Sequence, residues 1–225
     1  MKTFEKRFEE ILSRITVPST AKLWGNALFL SLGVTVFFAI YIILQDSWNG
    51  LESFNRVISN AAMVMVGLSF IASSVCYFWD FADRYIIYRK YWGLVGFWLV
   101  CVHGFVSLAQ KEFDLGFFLL PQNLVAFLCA LGAFLILLMM ALISNVAAVK
   151  KLGGKRWRAA LRVGYLAYVL AIVHIAYKAF PQWTQMMGTD SPLPPLSLVV
   201  VLFGFIVIFM RLALTIALGS KKNAS

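Results

Sequence analysis

Six long apolar segments, set apart by short polar or basic stretches, account for most of this chain. They cover approximately residues 23–44, 57–78, 91–109, 124–146, 159–180 and 196–218. A helix needs about 20 apolar residues to cross a hydrocarbon core of about 30 Å. Inside lipid the backbone must satisfy its own hydrogen bonds, so runs of this length read as helices. The pattern therefore predicts an all-α integral membrane protein, a six-transmembrane-helix bundle. It divides into an N-terminal cytoplasmic or interfacial segment (residues 1–22), a helical domain (23–218) and a tail (219–225). In the first segment Phe4, Phe8, Ile11, Leu12 and Ile15 fall at helical spacing. That spacing suits a surface helix lying on the bilayer, and a plain polar leader into the first span accounts for it equally well. The first apolar run is long enough to stay as an anchor, so no cleavable leader is expected.

Composition agrees with the pattern. The chain is 61% hydrophobic and 13% charged, whereas soluble domains carry about a quarter charged residues. The net charge of +10 could suggest nucleic acid, but the cations sit between the apolar segments. Lys2, Lys6, Arg7, Arg14 and Lys22 precede the first span. Arg84, Arg89 and Lys90 lie in the second connection, and Lys150, Lys151, Lys155, Arg156 and Arg158 in the fourth. Lys221 and Lys222 close the tail. The other connections hold little: Arg56 in the first, Lys111 in the third and no cation in the fifth. This asymmetry predicts two cytoplasmic termini, contact with membrane lipid and no nucleic-acid partner. The fifth connection carries Pro181, Pro192, Pro194 and Pro195 and is expected to be extended and irregular. Cys76, Cys101 and Cys129 fall within apolar segments without a CxxC pair, so they read as small buried hydrophobes.

Two histidines, His103 and His174, complete the candidate chemistry, and both lie inside apolar segments. Ionisable residues are rare in lipid and usually functional there. Spans three and five run in the same direction. His103 follows Tyr91 by twelve residues, about 18 Å at 1.5 Å per residue. His174 follows Ala159 by fifteen, about 22 Å. The depths match, and two imidazoles at one depth on two helices can hold a haem iron from both sides. A lone intramembrane histidine is often a hydrogen-bonded helix contact; the matched pair favours ligation. Gly96, Gly104 and Ala171 leave room beside them, and Phe97, Trp98, Phe105, Tyr168 and Tyr177 supply aromatic surroundings.

Two stretches resemble a known family. Leu142 to His174 reads LISNVAAVKKLGGKRWRAALRVGYLAYVLAIVH, and Arg89 to His103 reads RKYWGLVGFWLVCVH. Ile143–Ser144–Asn145, Gly154–Lys155–Arg156–Trp157, Tyr165–Leu166 and His174 are similar to the ferric reductase-like transmembrane domain family. Within it they are most similar to the MsrQ/YedZ-type haem-binding membrane subunits. The resemblance implies that His103 and His174 are the metal ligands of one b-type haem, in a bacterial inner membrane. It departs at Leu161, where the family carries a further histidine, so an inner haem has no evident ligand.

The family also implies electron transfer from a cytoplasmic, flavin or quinol donor, such as a separate flavin reductase, to an outer acceptor. That acceptor is ferric iron or a partner oxidoreductase. Some relatives place a flavin, FMN or FAD, at the inner boundary. Arg89, Arg156 and Arg162 converge there with their neighbours; they suit flavin phosphates, and Trp157 suits stacking on the ring. Topology anchors that snorkel account for the same residues. Arg211 lies about 10 Å inside span six; it either snorkels or holds a propionate or phosphate. The alternative function is a diverged, non-redox membrane binding or assembly subunit. A transporter fits less well, because no pair of broken helices marks a midplane site.

Overall fold

The structure is a computed structural model that describes residues 18–45, 48–186 and 193–223. The amphipathic stretch from Phe4 to Ile15 lies outside the described residues, as do Asp46, Asp190 and Pro192. The described residues form helices and no strand: α1 (Thr20–Gln45), α2 (Gly50–Phe78), α3 (Arg89–Ala109), α4 (Leu115–Leu119), α5 (Pro121–Ile143), α6 (Val146–Leu152), α7 (Gly154–Arg162), α8 (Gly164–Met186) and α9 (Leu196–Asn223). A 3-10 helix, Asp80–Tyr88, joins α2 to α3. Six helical stretches are long and apolar enough to cross a membrane, as the hydropathy pattern predicts. Many of their large side chains face outward; Phe29 is 79% exposed and Ile216 69%. A water-soluble fold would not leave so much apolar surface bare.

α2 sits at the centre. It packs on α1, α3, α8 and α9, and most of its length is buried. Its interior face carries Ser53, Asn55, Asn60, Ser69, Ser73 and Ser74 among small and apolar residues. Lipid offers no hydrophobic drive for helix pairing, so small side chains and hydrogen bonds set these contacts. At Gly96 a Cβ would lie 2.7 Å from Val66 Cγ2 and 2.9 Å from the Val66 backbone nitrogen. Glycine there lets α3 lie directly against the α2 backbone.

Several boundaries differ from the sequence expectation. α2 begins at Gly50, so Glu52, Asn55 and Arg56 are helical rather than part of a connection. They are polar because they lie at the helix end, and Asn55 is nevertheless buried against α3. The fourth span ends at Ile143, where Ser144 Oγ turns back to Met140 O (2.6 Å) and Asn145 caps α6 by accepting from Ala148 N (2.8 Å). The basic fourth connection is itself helical, as α6 and α7, and a turn at Val163 separates it from α8.

The largest correction concerns Pro181, which lies inside α8 rather than in an extended connection. Proline usually breaks a helix by removing a donor. Here the turn that follows is held from outside: Trp183 is buried and its Nε1 donates to Ser197 Oγ on α9 (2.9 Å). Thr184 Oγ1 donates to Pro181 O (2.9 Å). At the same end of the bundle Tyr41 Oη and Gln45 Nε2 of α1 both donate to Pro194 O, at 2.8 and 2.7 Å.

Candidate functional site

The two histidines come from different helices and meet. Their ring centroids lie 6.4 Å apart with planes inclined at 69°. α3 and α8, which carry them, do not pack closely on each other; α3 lies on α2 and α8 lies on α5. The side chains thus reach across a space between helices. Gly104, next to His103, faces open space, since a Cβ there would meet nothing within 4 Å.

Each ring is held through the same nitrogen. His103 Nδ1 lies 2.8 Å from Asn55 Oδ1. The Asn55 amide donates elsewhere, to Ser107 Oγ (2.9 Å) and Gln110 Oε1 (3.1 Å), so its oxygen accepts. His174 Nδ1 lies 2.8 Å from Ala126 O, and a carbonyl can only accept. Both imidazoles therefore carry their proton on Nδ1 and leave a lone pair on Nε2. This is the arrangement of metal-ligating histidines, whose outer nitrogen is fixed by a carbonyl or similar acceptor.

The spacing can be tested against a metal. Two metal–nitrogen bonds of about 2 Å, with about 1 Å from each nitrogen to its ring centre, separate the centroids by roughly 6 Å. The observed 6.4 Å fits one ion between the rings. No group of three or more His, Cys, Asp or Glu side chains is gathered among the described residues. With two protein donors, the remaining positions of a bound metal would have to be filled by other ligands, such as water or a macrocycle.

The basic candidates separate into two sets. Arg89 Nη1 donates to Ser73 Oγ (2.8 Å). The Arg211 guanidinium carbon lies 4.9 Å from the Tyr165 ring centroid, a cation–π contact. Tyr165 donates its hydroxyl to Phe70 O (3.0 Å). Neither Arg89 nor Arg211 has a carboxylate partner among the described residues. Arg156 and Arg162 are exposed on α7. Trp157, half-buried on the same helix, donates its indole N–H to Ile143 O (2.9 Å) and closes the end of α5.

Three polar participants are not singled out by the sequence: Asn55 and Asn123 fall just outside the apolar runs of spans two and four, and Lys178 falls within that of span five. Lys178 Nζ donates to Asn123 Oδ1 (3.2 Å) one helical turn beyond His174. A lysine and asparagines inside or beside apolar spans were the available signal.

Fold and site together define a multi-pass helical membrane protein with a paired-imidazole site in its interior. No protein-family model matches the chain. A curated protein of Rhodospirillum rubrum, the protein-methionine-sulfoxide reductase heme-binding subunit MsrQ, is 30% identical over 131 residues. The match covers 56% of this chain and 61% of that protein, so the chain spans under two thirds of its relative's length.

Proposed function

We propose that this chain is a haem b-carrying electron-transfer subunit of the bacterial inner membrane, with His103 and His174 as the axial ligands. The observation that carries this reading is the ring pair: 6.4 Å between centroids, with both Nδ1 atoms occupied and both Nε2 atoms available. The relative is named as a heme-binding subunit, which supports the same cofactor. A bound haem supplies one-electron chemistry. Asn55 and Ala126 fix the tautomer and aim of the two rings, and the surrounding apolar helices exclude water.

The reading includes a single haem. Leu161 offers no donor at the position of the family's further histidine. The bundle core nearer the α7 end is filled by Phe70, Tyr165 and Tyr168, whose rings pack at 4.8 and 5.6 Å. At Gly164 a Cβ would lie 2.8 Å from Phe70, which leaves no slot there.

Electrons enter, on this reading, from the end bearing the basic connections, which faces the cytoplasm with both termini. Arg89 and Arg211 suit the anionic part of a donor there, a flavin phosphate or a quinol oxygen, better than exposed Arg156 and Arg162. Electrons leave at the opposite end to ferric iron or a partner oxidoreductase.

The test is a reduced-minus-oxidised optical spectrum of the purified protein, with pyridine haemochrome quantification. One b-type haem per chain is expected. No haem after haem-supplemented expression would sink the proposal and leave a non-redox membrane subunit; two per chain would refute the single-site reading.

Asn55→Leu should weaken haem binding by about 10–100-fold, the usual effect of losing a partner behind a metal ligand. Titrating haem into the apoprotein of variant and wild type measures it. An unchanged affinity would mean that Asn55 does not orient His103.

A further inference from the structure

The surroundings of the ring pair are unequal along the bundle axis. Toward the α7 end the neighbours are apolar: Tyr168 and Ile172 are buried, and Phe97 stacks on Phe134 at 6.0 Å. Toward the other end the neighbours are polar. Ser107 and Gln110 follow His103 by one and two turns and share the Asn55 amide. Lys178 follows His174 by four residues, so it lies on the same face of α8, about 6 Å further along.

Lys178 is aimed rather than left loose. Its Nζ donates to Asn123 Oδ1 (3.2 Å), and buried Asn123 is itself fixed by donating Nδ2 to Phe117 O (2.9 Å). Phe117 also lies under Lys111, whose Nζ is 4.5 Å from the ring centroid. Lys178 thus touches a neutral oxygen, and no carboxylate pairs with it among the described residues. An ammonium has three donors, so the contact to Asn123 leaves others for an anion beside the ring pair.

We infer that Lys178, positioned by Asn123, binds a propionate carboxylate of the haem held by His103 and His174, and so fixes the macrocycle with its propionate edge toward the Lys178 end. This rests on the haem reading above. A haem is apolar except for its two carboxylates, and a carboxylate placed among Tyr168, Ile172 and Phe97 would be buried without a partner. The opposite orientation gives it a charge-assisted hydrogen bond. Lys178 is a positioning residue here: it sets which way the cofactor faces and does not touch the iron.

The experiment is a two-sided cycle. Apoprotein of the full chain is titrated with haem and with haem dimethyl ester, which keeps the macrocycle and iron but lacks both carboxylates. Wild type, Lys178→Met and Lys178→Arg are compared, with the low-spin optical spectrum reporting ligation by both histidines. Wild type should prefer haem over the ester by about tenfold, the factor that corresponds to 1.4 kcal/mol and within the range for a hydrogen bond to a charged group. Lys178→Met should bind the two equally, and Lys178→Arg should keep the preference. The spectrum of each variant should stay low-spin. A Lys178→Met protein that retains the wild-type preference would overturn the assignment, as would a wild type without any preference. Wild-type protein that takes up neither compound would instead refute the haem reading itself.

Discussion

Alanine at either His103 or His174 will abolish the bound haem, not merely weaken it. On the proposed ligation each ring would supply one of two protein donors, so each substitution would leave the cofactor with a single protein ligand. Loss of a partner behind a metal ligand typically costs 10–100-fold; loss of the ligand itself should exceed about a hundredfold by the same scale. Haem content in the purified variants, measured as pyridine haemochrome, should fall below detection for both. Imidazole added at high concentration should refill the gap in either variant and restore a low-spin spectrum. If one variant kept a full complement of low-spin haem unaided, the pairing of these two residues as ligands would be wrong.

Gly96→Val will destabilise the bundle and disturb the site together. The first atom of any side chain at this position meets Val66 Cγ2 at 2.7 Å and the Val66 backbone nitrogen at 2.9 Å. Backbone cannot swing aside as a flexible side chain can, so α3 must lift off α2. Overpacking of this kind costs about 1–3 kcal/mol. His103 lies on α3 two turns further on, and its orienting partner Asn55 is on α2, so the same displacement stretches the bond that aims the ring. A lower Tm in detergent and reduced haem occupancy are both expected. Gly33→Ala is the matched control, since a Cβ there meets nothing within 4 Å. A Gly96→Val protein with wild-type Tm and haem content would mean that α2 and α3 are not in direct backbone contact.

Much of this architecture is written in the hydropathy of the chain, because lipid permits so few solutions. Number, order and type of the spans follow from apolar length alone, and the two histidines stand out as residues that lipid discourages. What hydropathy could not supply were features decided by protein–protein burial. α2 starts seven residues before its apolar run does, since Glu52, Asn55 and Arg56 cover a helix end whose inner side packs on α3. Helical Pro181 depends on Trp183 reaching Ser197, a contact from another helix. The contact of Arg211 with Tyr165, whose hydroxyl in turn reaches Phe70 O on α2, joins three helices far apart in sequence. Nor could spacing reveal that Ala126 orients His174, since the group involved is a backbone carbonyl that every residue possesses.

The way each ring is held has a consequence for biosynthesis. His103 takes its orientation from α2, the helix made just before its own, and His174 takes its orientation from α5, the span made just before its own. Each is thus set within a pair of consecutive spans that can associate as soon as the second one enters the bilayer. The two pairs are tied together by contacts that reach between them, among them the Tyr165 and Tyr168 hydroxyls donating to carbonyls of α2, and by α9, which comes last. The two halves of the site are thus each oriented within one pair of consecutive spans, and a group bound as proposed would bridge the two pairs.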